Sequence, residues 1–309
     1  MTTHGAATRA ISAGVSRALV RAIETAVLLL ASYTRATVVA RRMATRADTR
    51  GTDEEREPTG DVGFERARRA LERERDVLTA ECDAFDAFAR RVGALGTTEA
   101  ASDAYDGLLT EGRGDGRAGS RVREAYAETV MAVPHYDEEY GESYRAHLAA
   151  EFGPALAAAL RDEPGLPAFL QQQVVAAARE AEASRAAVLD ALERERAALD
   201  AAADALTDVE TERAVVDSRP FASCERGELA RLRADLADLA ARCESLAERR
   251  QSGDLRPERR IPPSLDAPGF EEYVYDGLAT TYPVLSAVAR ESERVERTRA
   301  AIERVLGAR

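Results

Sequence analysis

The stretch 224–250 carries Leu229, Leu232, Leu236, Leu239, Cys243 and Leu246 in unbroken heptad steps. Apolar side chains that return after three and then four residues share one narrow stripe of an α-helix, and such a stripe is buried best against another helix. This pattern commits the chain to helix-on-helix packing more firmly than any other feature. A second seam opens at Phe64 and runs through Ala67, Leu71, Leu78, Phe85, Phe88, Val92 and Leu95, with only Glu74 and Glu81 interrupting it before Gly93 and Gly96 mark its end. Val188, Leu192, Leu199, Leu206 and Val209 stripe a long helix over 167–217, which Ser218-Arg219-Pro220 turns. Leu285, Val288, Val295, Ile302 and Leu306 stripe a last one, with Pro283 suited to its first turn. The expected architecture is all-α, an elongated antiparallel helical bundle with coiled-coil segments at about 64–95, 167–217, 224–250 and 284–306.

Three stretches break the pattern. Residues 97–165 are richer in Tyr, Gly and Pro, and read as short helices stopped by Pro134, Gly153-Pro154 and Pro164-Gly165. Residues 251–268 form a Pro-rich linker, and a short helix is predicted around Phe270–Thr280. The domain reading is therefore a basic amphipathic N-terminal helix over 1–50, a linker over 51–62, and an acidic helical-bundle domain over 63–309 that contains the Tyr-rich insert 97–165. Within that domain Ala70-Leu71-Glu72-Arg73-Glu74-Arg75 recurs as Ala191-Leu192-Glu193-Arg194-Glu195-Arg196. Duplication is one reading of this near-repeat, and biased composition in two solvated helices is the plainer one.

Charge separates the N-terminal stretch from the rest. Residues 1–50 hold eight Arg and two acids, net +6, while the remainder holds thirty-five Arg and fifty-three acids, net −18. Every basic residue is Arg, and Lys and Asn are both absent. Excess carboxylate without Lys, on an Ala- and Arg-rich background, fits a haloarchaeal cytoplasm, where salt near 1 M shortens the Debye length to roughly 3 Å and screens surface repulsion. A GC-rich mesophilic source is the alternative. Without Lys there is no phosphate-loop lysine, kinase lysine or Schiff-base lysine. Cys82, Cys224 and Cys243 form no C-x-x-C pair and read as small core residues of a reducing compartment.

At helical spacing Arg17, Arg21, Glu24, Arg35, Arg42 and Arg46 form one stripe over 10–47, and the apolar run between Arg21 and Arg35 is too short for a membrane span. Three readings stand: a helix packed on the body, a helix lying on a membrane surface with Arg toward lipid phosphate, or translation from Met43 rather than Met1. Nucleic acid is disfavoured as a partner, because the acidic body repels it.

Chemistry has one candidate location. His135-Tyr136-Asp137-Glu138-Glu139-Tyr140 is followed by Glu142, His147 and Glu151, and His147 and Glu151 are four apart, on one face of a helix. Imidazole with carboxylate can ligate zinc or iron, which makes His135, His147 and Glu151 candidate ligands. Neither H-E-x-x-H nor the E-x-x-H of di-iron bundles is present, and the competing reading is a packed Tyr/His cluster without metal or cofactor. No catalytic residue is assigned. Tyr126, His135, Tyr136, Tyr140, Tyr273 and Tyr282 are the candidate interaction surface, on the expectation that 121–160 and 270–282 pack together. The predicted role is that of a structural or interaction protein acting on a protein partner or on a second copy. A membrane-peripheral protein and a metal-binding enzyme are the alternatives.

Ala125-Tyr126-Ala127-Glu128-Thr129-Val130-Met131-Ala132-Val133-Pro134-His135-Tyr136, with Glu139-Tyr140 and Glu151-Phe152-Gly153, resembles the haloarchaeal domain of unknown function 7260 family. Leu229–Gln251, ending Glu248-Arg249-Arg250-Gln251, and Tyr273–Val288, with Tyr282-Pro283-Val284-Leu285, are similar to it too. The resemblance covers about 64–309 and implies a helical haloarchaeal protein with no assigned activity, so no functional residue is carried over.

Overall fold

The structure is a computed structural model and describes residues 60–97, 118–162, 165–252 and 270–308. The Arg stripe of 10–47 lies outside them. Among the described residues the chain is all-α, without strands. Its α-helices are α1 Gly60–Gly93, α2 Ala118–Ala127, α3 Tyr136–Glu139, α4 Tyr144–Phe152, α5 Pro154–Asp162, α6 Ala168–Asp217, α7 Arg226–Gln251, α8 Phe270–Tyr275 and α9 Pro283–Gly307. Two 3₁₀ turns, Val130–Ala132 and Phe221–Ser223, lie between them. The four long helices agree with the seams. In α9 the buried stripe is Val284, Val288, Val295 and Ile302, whereas Leu285 and Leu306 are half-buried. A full helical turn separates Val284 from Val288, which keeps both on the packed face.

Two compact units emerge, and their division falls within α1, between Thr79 and Ala80, and within α6, between Arg185 and Ala186. The first unit joins the end of α1 and the start of α6 to the short helices of the Tyr-rich insert. Cys82 Sγ reaches the Glu182 carbonyl at 3.7 Å, and Gln171 Nε2 donates to the Val92 carbonyl at 2.9 Å, so α1 and α6 run antiparallel here. Phe85, Phe88 and Val92 of α1, Val122 and Tyr126 of α2, Leu148 of α4, Leu160 of α5, and Leu170, Val174 and Ala178 of α6 share one apolar core. Local signals place the short helices. The Ser143 hydroxyl accepts from the Ala146 amide and caps α4. Gly153 ends α4 at φ 85°, a backbone angle that L side chains resist, and Pro154 opens α5 with its ring-fixed φ.

The second unit is a four-helix arrangement of the start of α1, the remainder of α6, α7 and α9, with α8 added. Arg242 of α7 pairs with Glu212 of α6 at 2.7 Å, and Arg250 pairs with Glu195, so α7 returns antiparallel to α6. Arg213 bonds Glu291, and the Thr298 hydroxyl bonds Asp217, so α9 runs alongside α6 in the same direction. Leu199, Leu229, Leu236, Val295 and Ile302 are fully buried between these helices.

Burial at a seam position should dominate stability. Leu236→Ala is expected to cost about 2–5 kcal/mol by opening a cavity, whereas Arg233→Ala on the exposed face of α7 should stay within about 0.5 kcal/mol. Urea unfolding at molar salt checks the contrast, and equal effects would contradict the assignment of the buried face.

Candidate functional site

The heptad seams predict apolar contacts, yet charged residues stand on them. In α1, Glu74 and Glu81 occupy the steps between Leu71 and Leu78 and between Leu78 and Phe85. In α6, Arg185 precedes Val188 by three, and Glu195 sits between Leu192 and Leu199. Arg250 is the step after Leu246 in α7, and Glu291 the step after Val288 in α9. All six are buried. A buried charge left alone costs several kcal/mol, so each must find its complement inside the protein.

In the first unit Arg185 is held by two carboxylates and an aromatic ring. Its Nε donates to Glu81 Oε2 at 2.5 Å, and its Nη1 and Nη2 form a fork on the Glu151 carboxylate at 3.2 and 3.1 Å. Phe85 lies under the guanidinium, 4.4 Å from its ring centre. The insert supplies further contacts: His135 Nε2 lies 3.0 Å from Glu81 Oε1, and the Tyr140 hydroxyl donates to the same oxygen at 2.9 Å. Beside them the Tyr126 hydroxyl and His147 Nδ1 are 2.8 Å apart, and the His147 ring packs edge-on to Tyr136 and Tyr140. Burial opposes the charge on Arg185, but the Glu151 and Glu81 carboxylates outweigh it and hold its pKa well above the usual guanidinium value. Both the guanidinium and Glu81 show 3% exposure, so the pair is sealed from solvent. The gap bordered by Phe85, Val130, Tyr140 and His147 is too narrow to admit a water molecule.

The second unit repeats the device with different residues. Arg250 forks onto Glu195 through Nη1 at 3.0 Å and Nη2 at 2.6 Å, and Nη2 also bonds Glu271 of α8. The Tyr275 hydroxyl donates to Glu195 at 2.7 Å, and the Tyr273 hydroxyl donates to Glu74. Arg250 is 2% and Glu195 0% exposed. Burial and the Glu195 carboxylate together push the Tyr275 phenol far up, because both disfavour a phenolate. Glu74 and Glu195 hold equivalent positions in the near-repeat, and each accepts a tyrosine hydroxyl from α8.

These contacts correct two expectations. Tyr126, Tyr136 and Tyr273 are buried and serve as core rather than interaction surface, because their hydroxyls satisfy groups inside the protein. His135 and Tyr140 are mostly covered, and Tyr282, just before α9, is the exposed member at 41%. The segments 121–160 and 270–282 belong to separate units. Of the proposed ligands, His147 and Glu151 lie 4.0 Å apart on α4 while His135 meets Glu81 instead, and Arg185 occupies the Glu151 carboxylate. Among the described residues no group of three or more His, Cys, Asp or Glu is placed to hold a metal. Sequence reasoning missed Arg185, Glu195, Arg250, Glu271 and Tyr275. The readable signal was the charge standing on an apolar seam, noted at Glu74 and Glu81 only as an interruption.

A family model described as Domain of unknown function (DUF7260) matches residues 63–299. No curated protein and no solved structure matches the chain.

Removing one partner of the sealed pair should cost more than removing both. Arg185→Met is expected to lose about 3–5 kcal/mol, and the double variant with Glu81→Leu to regain part of that loss. A double-mutant cycle by urea unfolding measures the coupling, and strict additivity would contradict the pairing. Burial also pushes the Tyr144 phenol up to about 12, and burial, followed by the Glu151 charge, pushes Tyr126 well up. Both neutral phenols therefore support the fold fully below pH 10, where unfolded tyrosine ionises. Above it the unfolded state binds fewer protons, and stability falls as pH rises through 10 to 12. Phenolate absorbance from these residues should rise together with loss of helical circular dichroism, and ionisation near pH 10 with the helices intact would contradict their burial.

Proposed function

The chain belongs to DUF7260, a domain of unknown function, and we propose that it is a structural or interaction protein of a salt-adapted, haloarchaeal cytoplasm that acts through the outward faces of its heptad-patterned helices. The observation that carries this reading is how the buried ionisable groups are used. Arg185, Glu81 and Glu151, and likewise Arg250, Glu195 and Glu271, bond one another at helix–helix contacts. Chemistry of this kind fixes where helices sit, and so presents their outer faces in a constant arrangement. An acidic exterior suits it, because carboxylates stay hydrated and unaggregated in molar salt.

Membrane-surface attachment through 10–47 is the second reading, and the split between a net +6 stretch and a net −18 remainder favours it. No helix among the described residues is long and apolar enough to cross a membrane, so attachment would be peripheral.

Sedimentation of the full chain in molar potassium chloride tests the first reading. The expected result is a concentration-dependent oligomer, or a stoichiometric complex recovered with the tagged chain from its own cells. A monomer at all concentrations, with no stoichiometric companion, would overturn it. Anionic vesicles in the same buffer separate the two: cosedimentation with vesicles that is lost on deleting 1–47 supports the second reading, and failure to cosediment removes it.

A further inference from the structure

α8 differs from the other elements of its unit. It has six residues, Phe270–Tyr275, too few to hold a helix on its own in water. Nevertheless Phe270, Glu271, Tyr273, Val274 and Tyr275 are all buried. Beside the buried Phe270 and Val274, its polar bonds are spread over three helices: Tyr273 on Glu74 of α1, Tyr275 on Glu195 of α6, and Glu271 on Arg250 of α7. The helices beneath have bonds that do not involve α8. Arg250 keeps its two-pronged bond to Glu195, Arg68 bonds Asp200, Arg213 bonds Glu291, and α7 packs along α9. Removing α8 therefore leaves the central guanidinium paired and the four-helix seam intact.

We propose that α8 is a latch: a short helix docked through Glu271, Tyr273 and Tyr275 on a four-helix unit that stays folded when it leaves. Its release would bare the Arg250–Glu195 pair and Glu74, the groups that α8 bonds when docked. Polar anchors suit such a device. They fix one docked position, and water satisfies each freed polar group on release, while burial of Phe270, Val274 and the two tyrosine rings favours the docked state. The inference is independent of the proposed function, since it concerns a motion within one unit.

The chain carries its own reference for the test. Cys243 is fully buried on the α7 seam and reports opening of the four-helix unit. Val274→Cys places a second thiol on the buried side of α8. In the full chain, thiol labelling under native conditions, read peptide by peptide, is expected to modify position 274 at least ~10-fold faster than Cys243, a difference of about 1.4 kcal/mol in opening free energy. Adding Glu271→Gln should raise the rate at 274 and leave Cys243 unmoved. The unsubstituted chain supplies a second reading: the Leu278 amide, donated to the Tyr275 carbonyl at 2.9 Å, should exchange faster than amides near the centre of α7. Equal labelling of 274 and Cys243, or a Glu271→Gln effect of equal size at both, would show a single cooperative unfolding and overturn the latch.

Discussion

A guanidinium that water cannot reach must be neutralised where it stands, and the arrangement of both units follows from meeting that demand at Arg185 and Arg250. Each sits at a heptad step that its neighbours fill with Val, Leu or Ala, and each takes a carboxylate from a facing long helix. Leucine seams alone tolerate sliding, since a shift by one heptad, about 10 Å along the helix, restores an apolar contact. The charges remove that freedom. In the first unit, a one-heptad slide of α1 one way brings Phe88 to Arg185 in place of Glu81. The opposite slide carries Glu81 to the place of Phe88, among Tyr126 and Phe152. The first takes one of the two carboxylates from Arg185 and leaves only Glu151, and the second buries the Glu81 charge among aromatic rings. The desolvation cost means that such a pair adds little net stability, but it penalises alternatives heavily.

Long helices do not complete these charges by themselves. Glu81 and Arg185 receive His135, Tyr140 and Glu151 from the insert, and Glu195 and Arg250 receive Glu271 and Tyr275 from α8. The tyrosine-bearing interruptions thus satisfy the polar interior of the seams. Their hydroxyls are directional donors to carboxylate oxygens that still have lone pairs free after the salt bridge, which is why aromatic residues with a polar tip gather here in a chain otherwise poor in aromatics.

The long helices were legible because helical periodicity is a local property: Phe64 through Val92 and Leu229 through Leu246 announce their buried faces without knowledge of any partner. The breaks at Pro134, Gly153-Pro154 and Ser218-Arg219-Pro220 were legible for the same reason, since φ restriction acts on the residue itself. Pairing was not. That Glu81 meets Arg185, and Glu195 meets Arg250, depends on which helices face each other and in which direction, information that no single stripe contains. Sequence spacing did place His147 and Glu151 on one face of α4, where both are buried, but it gave no hint that an arginine from α6 would fill the position imagined for a metal. Tyr126 and Tyr273 illustrate a related difficulty, because a tyrosine reads equally well as a binding-surface or as a core residue until its hydroxyl's partner is known.

The central claim is that seam charges set register rather than strength. Replacing Glu81, Arg185, Glu195 and Arg250 together by Leu, and measuring distances between spin labels on the exposed faces of α1 and α6, tests it most directly. The account predicts a folded, helical protein whose distance distribution broadens or splits, with components displaced by about one heptad, ~10 Å. A single distance identical to that of the unsubstituted chain would show that apolar packing alone fixes the register, and would contradict it.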